Sequence, residues 1–249
     1  MAEKAFSDVE TRRGRYAHGK ALRKKIAREA HAEFSGRSTR DPVAILAEGD
    51  VGRIPKLLPI RYARMTQSPF AFLRGAADVM AADLAGEPMT GFAVQACGDC
   101  HIMNFGAFAS PEGSILFDIN DFDETLPGVD FTIDLKRLAA SVAVAAQDGG
   151  FSDRKARAFA AGSVAAYRRH MQDLALRSPL EIWHSRIDLP REIASFSNPQ
   201  LARRLHAVLM KAGVELDRDD NFPHLATSKS GEARIADRAD TIFHLDPAE

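Results

Sequence analysis

The sequence predicts an α+β fold, mostly helical, built around a small β element. Three observations predict it. Apolar residues recur at helical spacing through long stretches, as in Leu22, Ile26, Ala30 and Phe34, or Leu135, Leu138, Ala139, Val142 and Ala145. Capped starts repeat along the chain at Asp41-Pro42, Ser68-Pro69 and Asn198-Pro199. Two short extended segments flank the turn residues Ser110-Pro111-Glu112-Gly113.

In chain order, residues 1–19 read as a mobile N-terminus, with Gly14 and Gly19 among many charges. Residues 20–34 predict a helix whose basic face, Lys20, Arg23, Lys24 and Arg28, reads first as a solvated surface, with a nucleic-acid contact as the alternative. After the break at 36–40, Asp41 caps a short helix. Residues 53–66 predict another, kinked at Pro55 or Pro59. Ser68-Pro69 opens a helix over 70–85 that turns Phe72, Ala76, Val79, Met80 and Leu84 to a core. A buried strand over 91–96 leads into the Gly98-Asp99 turn, and a hairpin over 104–109 and 114–119 follows. Leu126-Pro127-Gly128 reads as a loop, and Asp134 as the cap of an amphipathic helix. Ser152-Asp153 starts a helix to about residue 176, and Asn198-Pro199 one ending near Gly213. Residues 217–249 are polar and weakly patterned, with one strand over 241–245.

Composition narrows the function classes. The chain has 249 residues, 45% hydrophobic and 27% charged, as in an ordinary soluble globular protein. A net charge of -1 gives no global attraction to nucleic acid or anionic lipid, so nucleic acid is not an expected partner. No apolar run reaches the roughly 20 residues that span a bilayer, and the N-terminus lacks a secretory apolar region; a cytoplasmic protein without membrane contact is expected. Cys97-Gly98-Asp99-Cys100-His101 fits the c-type haem attachment pattern, but haem is not expected without an export signal. The two cysteines, the only ones present, read as small, partly buried side chains flanking Gly98 and Asp99.

The chemistry concentrates in Gly98-Asp99-Cys100-His101-Ile102-Met103-Asn104 and in Phe117-Asp118-Ile119-Asn120-Asp121-Phe122-Asp123-Glu124. Carboxylate and amide oxygens suit Mg²⁺ or Mn²⁺, hard cations that prefer oxygen ligands. A carboxylate beside a metal-bound phosphate can orient an attacking hydroxyl. Asp118, near the end of the second hairpin strand, is placed to aim its carboxylate into a cleft.

The order Gly-Asp-x-His-x-x-Asn, hairpin, strand-end Asp resembles the catalytic core of the protein-kinase-like fold, closest to aminoglycoside phosphotransferases. More of the chain resembles one bacterial family, domain of unknown function twenty-two fifty-two. The resemblance rests on segments 58–65, 68–77, 98–108, 117–127 and 134–141. It implies the large, catalytic-loop lobe of a kinase-like fold over 20–216, with the small lobe missing. Members of that family are longer. In them a Gly-rich segment and a Lys-Glu-Ala motif, which look like a nucleotide-covering loop and a phosphate-binding Lys, follow the region of residues 217–249. Neither Lys211 nor Lys229 stands in such a context, so the chain is expected to be truncated before that lobe, with exposed apolar surface that favours self-association.

The resemblance implies ATP and Mg²⁺ as cofactors and an unidentified acceptor. Asp99 would orient the acceptor hydroxyl, Asn104 would ligate the metal through its amide oxygen, and Asp118 would be the principal ligand. Asp121 and Asp123 either hold a second ion or anchor the loop. His101 would stabilise the loop, and Asp134, first a helix cap, would also brace it. Arg74 would bind phosphate or pair with one of the acids. A non-catalytic kinase-like module that binds nucleotide or a partner is one alternative. A metal-dependent phosphoesterase is another, and it would want more His ligands than His101 alone.

Overall fold

The structure, a computed structural model, describes residues 11–32, 40–216, 226–229, 232–235 and 237. Its described part is α+β and mostly helical, as the apolar periodicity predicts. The chain divides into two compact units, residues 1–106 with 118–185 and residues 107–117 with 186–249.

The first unit opens with α1, Arg12–Lys25, whose N-cap Thr11 accepts the Gly14 N–H. The helix therefore starts eight residues earlier than its apolar pattern suggests, and it ends where Ile26 turns extended, before a 3-10 turn over Arg28–Ala32. Helix α2, Pro42–Gly49, is capped as expected by Asp41, which accepts the N–H of Val43 and Ala44. The expected helix over 53–66 is broken by its prolines into a 3-10 turn, Pro55–Leu57, and α3, Leu58–Met65. The expected helix over 70–85 is likewise two, α4, Pro69–Gly75, and α5, Ala77–Leu84. Ala76 interrupts it at φ -119, ψ 43, outside helical geometry. Leu46, Met65, Ala76 and Val79 form the buried cluster that holds these helices together. Gly75 lies against Met65 so closely that a Cβ there would meet its side chain at 2.5 Å. Phe72, expected in the core, is exposed.

Strand β1, Ala93–Ala96, leads into the Gly98-Asp99 loop. Next come β2, Phe105–Ala109, and β3, Ile115–Ile119, the expected hairpin, closed by Gly113 at φ 79 and by the Ser110 N–H to the Ser114 carbonyl. Strand β4, Leu126–Asp130, occupies the segment read as a loop. It pairs antiparallel with β1, Ala93 opposite Asp130 and Ala96 opposite Leu126, with an irregularity between Val94 and Ala96. A two-stranded sheet tolerates Pro127 because an edge strand has N–H groups that need no partner.

Helix α6, Thr132–Asp148, packs against α7, Asp153–Leu174, and against α4. The apolar positions expected to face the core are only half-buried in α6; Arg137 and Ser141 are its deeply buried residues beyond the first turn. Helix α8, Pro179–Trp183, carries a capping box between Ser178 and Glu181.

The second unit contains the hairpin tip, α9, Leu189–Ala194, capped by Asp188, and α10, Pro199–Leu216, which runs past Gly213. The Phe117 N–H bonds the Ile187 carbonyl, and Leu116 bridges Asp188. Strands β5, Ala226–Lys229, and β6, Glu232–Ile235, form an antiparallel pair in the segment read as weakly patterned. The strand expected over 241–245 lies outside the described residues. No helix among the described residues is long and apolar enough to cross a membrane.

Candidate functional site: a buried aspartate loop braced by one helix

All the sequence-predicted site residues belong to the first unit. The loop from Cys97 to Asn104 turns sharply at Gly98, whose φ is +89. Only glycine fits there on two grounds: L residues rarely adopt that φ, and a Cβ would collide with the Glu124 backbone. The close approach brings the acidic segment after β3 against the start of the Gly98-to-Asn104 loop.

Asp99 is 6% exposed and Arg137, one face of α6 away, 3%. Nε of Arg137 donates to Oδ1 of Asp99 at 2.6 Å, and its Nη2 stands 2.6 Å from the same oxygen. Nη2 also donates to the Leu73 carbonyl at 2.6 Å, so one guanidinium ties α6, α4 and the loop. Oδ2 of Asp99 takes no hydrogen bond among the described residues; His101 Nε2 lies 3.6 Å from it, beyond hydrogen-bond range. The Asn104 amide nitrogen donates to the Asp99 carbonyl at 2.8 Å, which leaves its Oδ1 as the uncommitted end. The Asn120 N–H bonds the Asn104 carbonyl at 3.0 Å and draws the end of β3 to the loop.

Helix α6 braces the loop at two more points. Asp134 accepts the N–H of Cys97 at 2.7 Å and of Gly98 at 3.0 Å. Its expected role as helix cap is not what the structure gives: the N-cap is Phe131, and Asp134 sits in the first turn with its carboxylate on the loop. Ser141 Oγ accepts the Ile102 N–H at 3.0 Å. Asp134, Arg137 and Ser141 stand at i, i+3 and i+7, one stripe of a helix.

The remaining expected residues are placed as follows. Asp118 is exposed and accepts the Ile119 N–H. Asp121 is half-buried; its carboxylate accepts the Asp123 N–H and its carbonyl accepts the Cys97 thiol. Asp123 is exposed. Arg74 is exposed and forms no ion pair among the described residues. The acid is paired by Arg137 instead, because Arg137 projects from the buried stripe of α6. His101 Nδ1 accepts the Met103 N–H at 3.2 Å, a bond within the loop.

Burial sets the electrostatics. It pushes the His101 imidazole below its ordinary range, outweighing the pull of Asp99, with Arg137 and Arg74 acting the same way as burial. It pushes the Cys100 thiol up to about 12, helped by Asp134 and Cys97, and raises Cys97 as well. Both cysteines are buried free thiols, as expected of small flanking side chains. Glu124 is exposed as a residue, but partial desolvation of its carboxyl raises it, together with Asp99 and Asp121. Glu124 therefore feels Asp99 and Asp121 across the Gly98 contact.

A cavity of 590 Å³ lies between α5 and the β1–β4 pair, with Ala77, Ala81, Ala93 and Val129 among its walls and Gly98 and Glu124 also lining it. Among the described residues no group of three or more His, Cys, Asp or Glu side chains could hold a metal by itself. An ion such as Mg²⁺, which takes one or two carboxylates and completes its shell with water and phosphate, is compatible with that donor set.

Sequence reasoning missed Arg137, Ser141 and Glu124. The signal for the first two was the polar i, i+3, i+7 stripe running through an otherwise apolar helix. Glu124 gave only its place in an acidic run.

Fold and site together define a mostly helical α+β protein with a buried Asp–Arg pair at the centre of a Gly-Asp-x-His-x-x-Asn loop. Residues 53–249 match the model of the family described as uncharacterized protein conserved in bacteria (DUF2252), and the chain belongs to that family. No curated protein and no solved structure matches the chain.

Proposed function

We propose that the chain carries the catalytic-loop half of a kinase-like phosphotransferase that uses Mg²⁺- or Mn²⁺-bound ATP and an acceptor hydroxyl on a small molecule. The observation that carries it is the division of labour at Asp99. Arg137 holds the carboxylate through Oδ1, by the hydrogen bond from Nε and the ion pair with Nη2, which fixes it and leaves Oδ2 as an acceptor for a substrate proton. A base for a hydroxyl needs such a free, oriented oxygen.

The other residues fall into matching roles. Asn104, with its amide nitrogen committed to the Asp99 carbonyl, offers Oδ1 as a metal ligand. Asp118 and Asp121, on the segment that Asn120 ties to Asn104, supply carboxylates. Asp134 and Ser141 hold the loop in shape by accepting its N–H groups. A metal held by these oxygens would supply positive charge to neutralise the phosphate.

Titration calorimetry with Mg²⁺ and ATP tests this. Binding should require both, and should weaken at least ~10-fold in Asp118→Ala and in Asp121→Ala. Affinity equal to wild type in both variants would remove the acidic segment from the metal site and the phosphotransfer reading with it.

A further inference from the structure

The start of α1 at Arg12 changes the meaning of its charges. Helix α1 carries seven of the chain's Lys and Arg residues and no acid, although the whole chain is nearly neutral. At 3.6 residues per turn, Arg12, Arg13, Tyr16, Lys20, Arg23 and Lys24 fall on an arc of about 120°. All five cations are exposed, and none has an ion pair among the described residues. Tyr16, in the middle of the stripe, is 68% exposed. The helix is seated on another side: Leu22 is half-buried, 3.9 Å from where a Cβ on Gly91 would stand.

We propose that this stripe is a docking surface for the phosphate backbone of nucleic acid. Five unpaired cations along roughly 20 Å of helix match a polymer of regularly spaced negative charge and cost nothing in broken ion pairs. Tyr16 stands among them with a free face on which an unpaired base can stack. An anionic membrane fits less well. A membrane-surface helix sets a broad apolar face opposite its cations. In α1 the large apolar side chains are Tyr16, inside the charged stripe, and Leu22, turned onto Gly91. This surface is independent of the phosphotransfer site, and its failure would leave that site untouched.

The test is fluorescence anisotropy of a labelled 20-nucleotide single strand of mixed sequence with the purified 249-residue chain. Binding should fall on the order of 100-fold between 50 and 200 mM salt if five phosphates are neutralised. Neutralising all five cations to Gln should abolish it, and each single change, such as Arg23→Gln, should lower the salt slope by about 0.7. Because these side chains are exposed, circular dichroism should show the fold retained; the single variants keep the test decisive if the fivefold variant unfolds. Tyr16→Ala should weaken single-strand binding at least ~5-fold. Unchanged affinity in the fivefold variant would overturn the proposal. So would tighter binding to phosphatidylserine vesicles or to polyglutamate than to the oligonucleotide.

Discussion

At the scale of single residues the site depends on Arg137. Its guanidinium serves the Asp99 carboxylate, the Leu73 carbonyl and the Met80 sulfur from a position 3% exposed. A buried ion pair is weak evidence of stability, because desolvation offsets attraction, but breaking one side strands a charge. Arg137→Met should therefore destabilise the fold by about 3–5 kcal/mol. Pairing it with Asp99→Asn should recover part of that loss, since the stranded charge is removed with its partner. Urea denaturation of the two single variants and the double variant measures this. A single variant costing under ~1 kcal/mol, as a solvated surface pair does, would show that the pair does not hold the loop. Asp99, His101 and Asn104 were legible in the sequence as a constellation because their chemistry is dense and local. Arg137 was not, since it lies 38 positions from its partner and nothing short of the fold pairs them. Arg74, the arginine the sequence pointed to as a partner for one of the acids, is exposed.

At the scale of elements, side chains decide where strands and helices meet. Asp130 ends β4 and accepts from the Thr90 hydroxyl at 2.6 Å, the Gly91 N–H at 2.9 Å, and the N–H and hydroxyl of Thr132 at the start of α6. Burial works to raise its carboxyl, but these donors outweigh it and hold it below the ordinary carboxylate value of 3.8. The contribution to stability is therefore fully present above that value and is lost as pH falls through the lower, folded one. Asp130→Asn should cost on the order of 1–3 kcal/mol at pH 7, and the gap from wild type should narrow in acid below pH 3.8. Urea titrations at several pH values measure the gap; one that stays constant with pH would show that the charge of Asp130 does not matter to the junction. The same junction explains an element the sequence hid. Leu126-Pro127-Gly128 carries turn chemistry, and only its pairing with β1 makes it a strand. The start of α1 was hidden for the opposite reason: residues 12–19 carry charge without apolar period, and the helix rests on Thr11 as a cap. The helix over 70–85 read as continuous because its apolar spacing runs through Ala76, while its backbone breaks there to bury Ala76 with Met65.

At the scale of the molecule, under the proposed phosphotransfer reading, the first unit is assigned one side of a site. It has an oriented acceptor oxygen on Asp99, an uncommitted amide oxygen on Asn104 and acids on the segment after β3. Transfer from ATP also needs cations and N–H groups on the γ-phosphate, since most of the rate comes from positioning it and neutralising its charge. Of the two arginines that act on His101, Arg137 is spent on Asp99 and Leu73, and Arg74 stands exposed with no ion pair among the described residues. The 249-residue chain by itself should therefore turn over ATP far more slowly than the roughly 1–100 s⁻¹ of working kinases, even where it binds the nucleotide. A coupled ADP-release assay on the purified chain measures this, with Asp99→Asn as the control. Turnover in the working range that disappears in the control would mean that this loop and its acids already complete a catalytic unit. The phosphate would then have to be held by cations of this chain other than Arg137, whose charge the buried carboxylate of Asp99 already claims.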